Sequence, residues 1–268
     1  MKVDIIITTY RNPSIKMCLE SVLQKTKNVE FRIILWCNDA SDDIKSFVDN
    51  LDDERITPIF LNNNGGSFSS NNNAAAKYGD AEYILLLNDD CFTQRDDWLL
   101  HMTKILDTDP NVGVVGALLV YPDKKTLQHC GVFFSQKTNS LPYHMNYRQP
   151  LSTMKSFISM PRHYQSVTGA CLLARREEYE KVGGMDESYF YCFDDIDLCL
   201  RINNKLKKTC VYCPEALLIH DEGISKDGKL NPKFKENIET FRSRCAGMYF
   251  NDLEFYLSNP NYMIYKRK

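Results

Sequence analysis

Residues 83–90 run Tyr83-Ile84-Leu85-Leu86-Leu87-Asn88-Asp89-Asp90, an apolar stretch that ends abruptly in an amide and two carboxylates. Consecutive apolar residues fit a strand covered on both faces. In open parallel sheets such strands present ligand-binding groups at their carboxyl ends. Two adjacent hard oxygen donors there suit Mg²⁺ or Mn²⁺ carrying a phosphorylated ligand. A turn capped by Asn and Asp is the other reading, because both residues favour turns. Taken alone, these eight residues leave both readings open.

The flanks set that strand in a repeating pattern. Val3 to Thr9 is apolar and β-branched, and Pro13 stands where a helix can begin. Ile15, Cys18, Leu19, Val22 and Leu23 then fall on one face of a 3.6-residue period. Phe31 to Cys37 predicts a second strand. Ser41 is a good N-cap, Asp42 and Asp43 suit the first turn, and Ile44, Phe47, Val48 and Leu51 repeat the stripe. Ile56 to Leu61 predicts a third strand, and a polar, Ala-containing helix follows Asn62-Asn63-Asn64-Gly65-Gly66. Beyond residue 90, Trp98, Leu99, Met102, Ile105 and Leu106 mark another inward helical face, and Val112 to Val120 another strand. Strands alternating with helices predict an α/β fold with a mostly parallel central sheet flanked by helices.

Neither G-x-G-x-x-G nor G-x-x-x-x-G-K-[ST] occurs, so the chain lacks the usual dinucleotide and P-loop phosphate cradles. With 33 Lys and Arg against 35 Asp and Glu, the net charge of -2 gives no global attraction to nucleic acid or anionic membrane. The length of 268 residues and 43% hydrophobic content suit an enzyme-sized core. No window approaches the length of a membrane span, and the expected setting is cytoplasmic, with at most peripheral contact at the inner face of a membrane. Ten cysteines are scattered through apolar patterns and are expected as reduced, packed thiols.

Residues 127–165 are less regular and rich in Tyr, Pro and Ser, suiting a long excursion over the sheet or an acceptor-facing loop. Ser166 to Arg175 predicts a strand carrying Thr168-Gly169-Ala170, and Arg176 to Val182 a short helix stopped by Gly183-Gly184. A second acidic cluster, Asp194-Asp195-Ile196-Asp197, opens a helix whose first turn favours acids, so helix capping is one reading of it. Val211 to Ile219 predicts a final strand with His220 at its end, and a largely helical tail runs from Pro232 to about Leu257.

From Val3 to about Ser225 the chain resembles a family 2 inverting nucleotide-sugar glycosyltransferase of the bacterial polysaccharide and rhamnosyltransferase-like branch. The resemblance rests on the order and spacing of Thr8-Thr9-Tyr10-Arg11-Asn12, Asn38-Asp39-Ala40-Ser41-Asp42, Asn64-Gly65-Gly66 with Asn72, and Leu87-Asn88-Asp89-Asp90. It continues through Leu127-Gln128-His129-Cys130-Gly131, Thr168-Gly169-Ala170-Cys171, Val182-Gly183-Gly184-Met185-Asp186, Asp194-Asp195-Ile196-Asp197, and Ile219-His220.

The resemblance implies a GT-A fold: residues 1–225 as the catalytic domain, with a nucleotide-binding half (1–120) and an acceptor-binding half (121–225), then a helical extension (226–268). It places Asn88-Asp89-Asp90 at the D-x-D position, with Asp90 and His220 as ligands of Mn²⁺ or Mg²⁺ and Asn88 and Asp89 near the ribose and metal. The family usually has Asp where this chain has Asn88, and an amide can still hydrogen-bond a ribose hydroxyl. Asp195 matches the catalytic base, Asp194 and Gly169 the acceptor side. Thr9, Tyr10, Arg11, Asp39, Asn64, Gly66 and Asn72 line the donor pocket. A carboxylate at Asp39 accepts the N3 hydrogen of uracil or thymine and so favours a UDP- or dTDP-sugar, although the family's acid often stands one position earlier, at Asn38. The acceptor is expected to be a glycan or a lipid-linked molecule.

Two other functions fit the same residue types. A sugar-nucleotide nucleotidyltransferase would show a Gly-rich basic loop after the first strand, which is missing here. A catalytically silent glycan-binding protein would not need Asp90, Asp195 and His220 together. Cys210-Val211-Tyr212-Cys213 has zinc-like spacing, but on a strand the two thiols face opposite sides and no second pair is suitably placed. The aromatics from Tyr143 to Tyr147 suit either stacking on an acceptor sugar or plain surface packing.

Overall fold

The structure is a computed structural model, and it describes residues 2–62, 65–190, 192–222, 233–259, 261 and 263–266. The first half alternates as the periodicities predict: β1 (Lys2–Tyr10), α1 (Ile15–Lys25), β2 (Glu30–Asn38), α2 (Asp42–Leu51), β3 (Ile56–Leu61), α3 (Phe68–Ala76) and β4 (Tyr83–Asn88). It goes on to β5 (Cys91–Thr93), α4 (Trp98–Thr108) and β6 (Val112–Val120). Ile15, Cys18, Leu19 and Val22 are the buried face of α1. The Ser41 hydroxyl accepts from the Ile44 N–H at 3.3 Å, capping α2 with Asp42 and Asp43 in its first turn.

The excursion after β6 is built from short pieces: β7 (Leu127–His129), β8 (Val132–Phe134), β9 (Pro142–His144), α5 (Leu151–Ile158) and β10 (Arg162–Tyr164). The chain then forms β11 (Cys171–Arg175), α6 (Arg176–Lys181), α7 (Asp194–Leu206), β12 (Thr209–His220), α8 (Phe234–Arg244) and α9 (Leu253–Ser258).

The central sheet has the order β10-β12-β6-β11-β4-β1-β2-β3, with β5 on β12 and β7 on β6. Strands β3, β2, β1 and β4 are parallel, as are β6 and β12, while β11 runs antiparallel between β4 and β6. Side-chain alternation sends Ile5, Ile7, Leu85 and Leu87 to a core with α1 and α4. Ile6, Ile34 and Leu86 go to a second core, which Ala75, Tyr179 and Leu198 bring from α3, α6 and α7. Helices therefore cover both faces, which is why β4 and β6 are apolar at nearly every position. Each such Leu or Ile contributes about 1.5–3 kcal/mol on burial. Cys210 and Cys213 divide between the two cores, as their spacing on a strand requires, and all ten cysteines are free thiols.

The predicted strand from Ser166 begins only at Cys171, because the backbone of Gly169 and Ala170 leaves the regular ladder to serve the site below. The tail is helical in two pieces separated by a turn in which Gly247 takes φ +72°. Phe241 packs with Phe134, Ile196 and Leu200, and the Phe134 N–H donates to Asp252 at 2.7 Å. Among the described residues no helix is long and apolar enough to cross a membrane.

Candidate active site

The acidic strand tip meets the other chemistry-bearing residues because of sheet register. Thr8 lies opposite Asn88 and Tyr10 opposite Asn38, so β1, β2 and β4 end at one edge. Directly after Asp90, β5 turns back antiparallel to β12 and sets Cys91 opposite His220. The Asp221 N–H donates to the Asp90 carbonyl at 3.0 Å and fixes this crossing.

His220 Nε2 lies 3.2 Å from Asp90 Oδ1 and 3.3 Å from the Asn88 amide nitrogen. Its Nδ1 lies 2.7 Å from Gln128 Oε1. Gln128 Nε2 in turn lies 3.1 Å from Glu222 Oε2; a carboxylate only accepts, so the amide nitrogen points to Glu222 and the carbonyl to the imidazole. His220 therefore donates from Nδ1, and its Nε2 faces the Asp90 carboxylate and the Asn88 amide. Asp90 Oδ1 and Asn88 Oδ1 are both buried without a hydrogen-bond partner. Two buried oxygens without partners beside an imidazole nitrogen form a donor set of oxygen plus imidazole that suits a divalent ion such as Mn²⁺. Cys91 lies in the same cluster, but its thiol donates to the Ala170 carbonyl and burial pushes its pKa well above the usual thiol range, so it stays protonated.

Asp89 turns towards the loop after β1, where Asn12 Nδ2 donates to it at 2.9 Å. Burial, followed by the charge of Asp90, pushes its pKa up to about 7 against the opposing hydrogen bonds of Thr9 and Asn12.

The second acidic cluster opens α7. Asp195 accepts from the Gly169 N–H at 2.7 Å and from the Ile196 N–H at 2.8 Å. Burial raises its pKa, and these donors with the Thr168 hydroxyl restrain the rise. Asp194 is buried against α3 and accepts from the Ser69 hydroxyl at 2.8 Å; burial and the charge of Asp195 push it up to about 7. The two acidic clusters are joined through two residues, since Gly169 holds Asp195 and the next carbonyl, Ala170, accepts the Asn88 N–H at 3.0 Å.

Of the sequence-predicted site residues, Thr9, Asn88, Asp89, Asp90 and His220 gather at the strand tips, and Gly169 and Asp195 adjoin them. Asp194 faces Ser69 instead of the strand tip, and Gly169 touches Asp195 directly. Arg11 and Asp39 form an ion pair at 2.5 Å, both in left-handed backbone (φ 51° and 57°), beside the exposed Tyr10. The Asn72 side chain is buried and donates to the Phe68 carbonyl of its own helix, leaving its Oδ1 without a partner. A Cβ on Gly66 would lie 2.4 Å from Asn71 Oδ1, so the close approach of that side chain requires glycine. Asn64 lies outside the described residues. Sequence reasoning assigned no role to Asn12, Ser69 or Gln128. Asn12 lies in the turn between β1 and α1 and Ser69 in a polar helix, so neither stands out by pattern; Gln128 follows Leu127 at the start of a short buried strand.

Residues 4–183 match the description Glycosyl transferase family 2. The chain belongs to that family. Along its length this family 2 member is 30% identical to the uncharacterized protein y4gI of Sinorhizobium fredii over 97% of the chain, which spans 29% of that protein. It is 29% identical to the O-antigen biosynthesis protein RfbC of Myxococcus xanthus over 87% of the chain and 18% of that protein. The chain thus spans less than a third of these relatives. Among solved structures it is similar to GalNAc-T7 with UDP, GalNAc and Mn²⁺ (TM-score 0.69, 10% identity, 91% of this chain and 48% of that one). It is also similar to Staphylococcus aureus TarS 1-349 with UDP-GlcNAc (TM-score 0.65, 13% identity, 95% of this chain and 69% of that one). At such identities the likeness shows the fold, and that fold is GT-A.

Proposed function

We propose that this family 2 member is a metal-dependent inverting glycosyltransferase. It would move one sugar from a nucleoside diphosphate donor to a hydroxyl of a glycan or lipid-linked acceptor in surface polysaccharide synthesis. The observation that carries the reading is the junction of the Asp90–His220 pair with Asp195 across Gly169 and Ala170. A cation site and a carboxylate base side by side are what displacement of a charged diphosphate requires. The O-antigen relative supports polysaccharide as the product class, and the structural neighbour GalNAc-T7, with UDP and Mn²⁺, supports the donor and ion classes.

Asp90 and His220 would hold Mn²⁺ or Mg²⁺, with the Asn88 amide beside them. When bound, that ion supplies positive charge to the leaving diphosphate. Asp195 takes the proton of the acceptor hydroxyl as its oxygen attacks the anomeric carbon; one carboxylate suffices for a single in-line displacement, so the configuration inverts. The Gly169 N–H holds the carboxylate in place, and its raised pKa gives the base greater proton affinity at neutral pH. Asp89, tied to Asn12, and the Arg11–Asp39 pair lie on the donor side, where Asp39 favours a uracil or thymine base. The test is a panel of nucleotide sugars with Mn²⁺ or Mg²⁺ and candidate acceptors. Release of nucleoside diphosphate with an inverted anomeric product, abolished by EDTA, is expected. Release of pyrophosphate from a nucleoside triphosphate and a sugar 1-phosphate would assign the chain to nucleotidyl transfer instead.

A further inference from the structure

We propose that Gln128, itself oriented by Glu222, is a positioning residue that fixes His220 in the Nδ1–H tautomer and so presents Nε2 to the cation site. The inference rests on the metal reading above and extends it to two residues outside the Asp90–His220 pair.

The geometry is a chain of single-valued hydrogen bonds. Gln128 lies in β7, 3% exposed, and its carbonyl oxygen sits 2.7 Å from His220 Nδ1. Free imidazole can place its proton on either nitrogen, and an amide can present either end. Glu222 removes both ambiguities: its Oε2 accepts from Gln128 Nε2 at 3.1 Å, which turns the carbonyl to the imidazole and forces the proton onto Nδ1. The Tyr121 hydroxyl lies 3.3 Å from the same Oε2 and 2.7 Å from the Tyr147 hydroxyl. Metal-binding histidines are commonly fixed by a carboxylate directly; here a neutral amide stands between. The amide passes on to the imidazole the orientation that Glu222 imposes on it.

The test uses metal-free, ¹⁵N-histidine-labelled protein comprising all 268 residues of the chain, with the His220 signal assigned by His220→Asn. Wild type is expected to show one fixed tautomer, protonated on Nδ1. Gln128→Leu should lose it, and Glu222→Ala should lose it in part although Glu222 does not touch His220, an effect that mere packing would not produce. Mn²⁺ affinity followed by electron paramagnetic resonance should fall about 10- to 100-fold in Gln128→Leu. An unchanged tautomer in both variants overturns the proposal, and Glu222→Ala decides it if Gln128→Leu fails to fold. Equal Mn²⁺ affinity of wild type and Asp90→Ala would overturn the metal reading instead, and the tautomer measurement separates the two because it contains no metal.

Discussion

Gly169 donates its backbone N–H to the Asp195 carboxylate at 2.7 Å, and a Cβ at Gly169 would lie 2.9 Å from the Cβ of Asp195. The proposed base is thus seated against a residue with no side chain, and the next carbonyl accepts the Asn88 N–H. Any group added at this point moves proton acceptor and cation site relative to one another.

Gly169→Ala should therefore lower kcat by about 100-fold, the cost of displacing a catalytic group by roughly 1 Å, while donor affinity stays close to wild type. Steady-state kinetics beside calorimetric titration of nucleoside diphosphate separates the two effects. A wild-type kcat would show that Asp195 does not depend on this seat.

Asp195→Asn should abolish proton transfer, a loss of about 10²- to 10⁴-fold in kcat, with nucleotide binding intact. In the wild type the proposed base would work only when ionised. Because burial raises its pKa, the rate should begin to fall on acidification above the pH expected of an ordinary carboxylate. A rate that is flat down to pH 4 would remove Asp195 from the role.

Removing the anionic ligand should uncouple donor and metal. Asp90→Ala is expected to bind nucleoside diphosphate weakly and equally with and without Mn²⁺, whereas the wild type tightens when the ion is added. Calorimetry with UDP and EDTA controls measures this, and a preserved Mn²⁺ effect in the variant would place the ion elsewhere.

Asp194 should cost stability at neutral pH. Its pKa rises from 3.8 in the unfolded reference to about 7 in the folded protein, so the native state binds the proton more tightly. Its favourable contribution is complete below about pH 4 and is lost as the pH climbs through 7. Asp194→Asn keeps an acceptor for Ser69 without the buried charge. It should match the wild type near pH 4 and exceed it at pH 8 by about 1 kcal/mol or more, or roughly 2 °C in Tm. Thermal unfolding at the two pH values checks the sign, and greater wild-type stability at pH 8 would contradict it.

Much of the fold was legible because its signals are local. The 3.6-residue stripe of α1, the Ser41 cap and the unbroken apolar runs of β4 and β6 each predict one element, and the structure places each as expected. Ser166 to Ala170 was misjudged as strand because its backbone bonds go to Asp195 and Asn88, partners that no period within the segment can announce. The short strands between residues 127 and 164 were invisible for a related reason. Three-residue strands are stabilised by neighbours from elsewhere in the chain and not by a pattern of their own.

By itself the sequence determined the alternation of strands and helices, the acidic tip after β4 and the family to which the chain belongs. Which groups meet at that tip was decided by tertiary structure. Gln128 and His220 are 92 residues apart, Ser69 and Asp194 are 125, and Gly169 and Asp195 are 26. Those contacts follow from β11 inserting antiparallel between β4 and β6, and from β12 running alongside β6 until His220 reaches Asp90. Hydrophobic periodicity specifies which face of each element is buried. It does not specify the neighbour or register of a strand, and a hydrogen bond depends on both to within a fraction of an ångström.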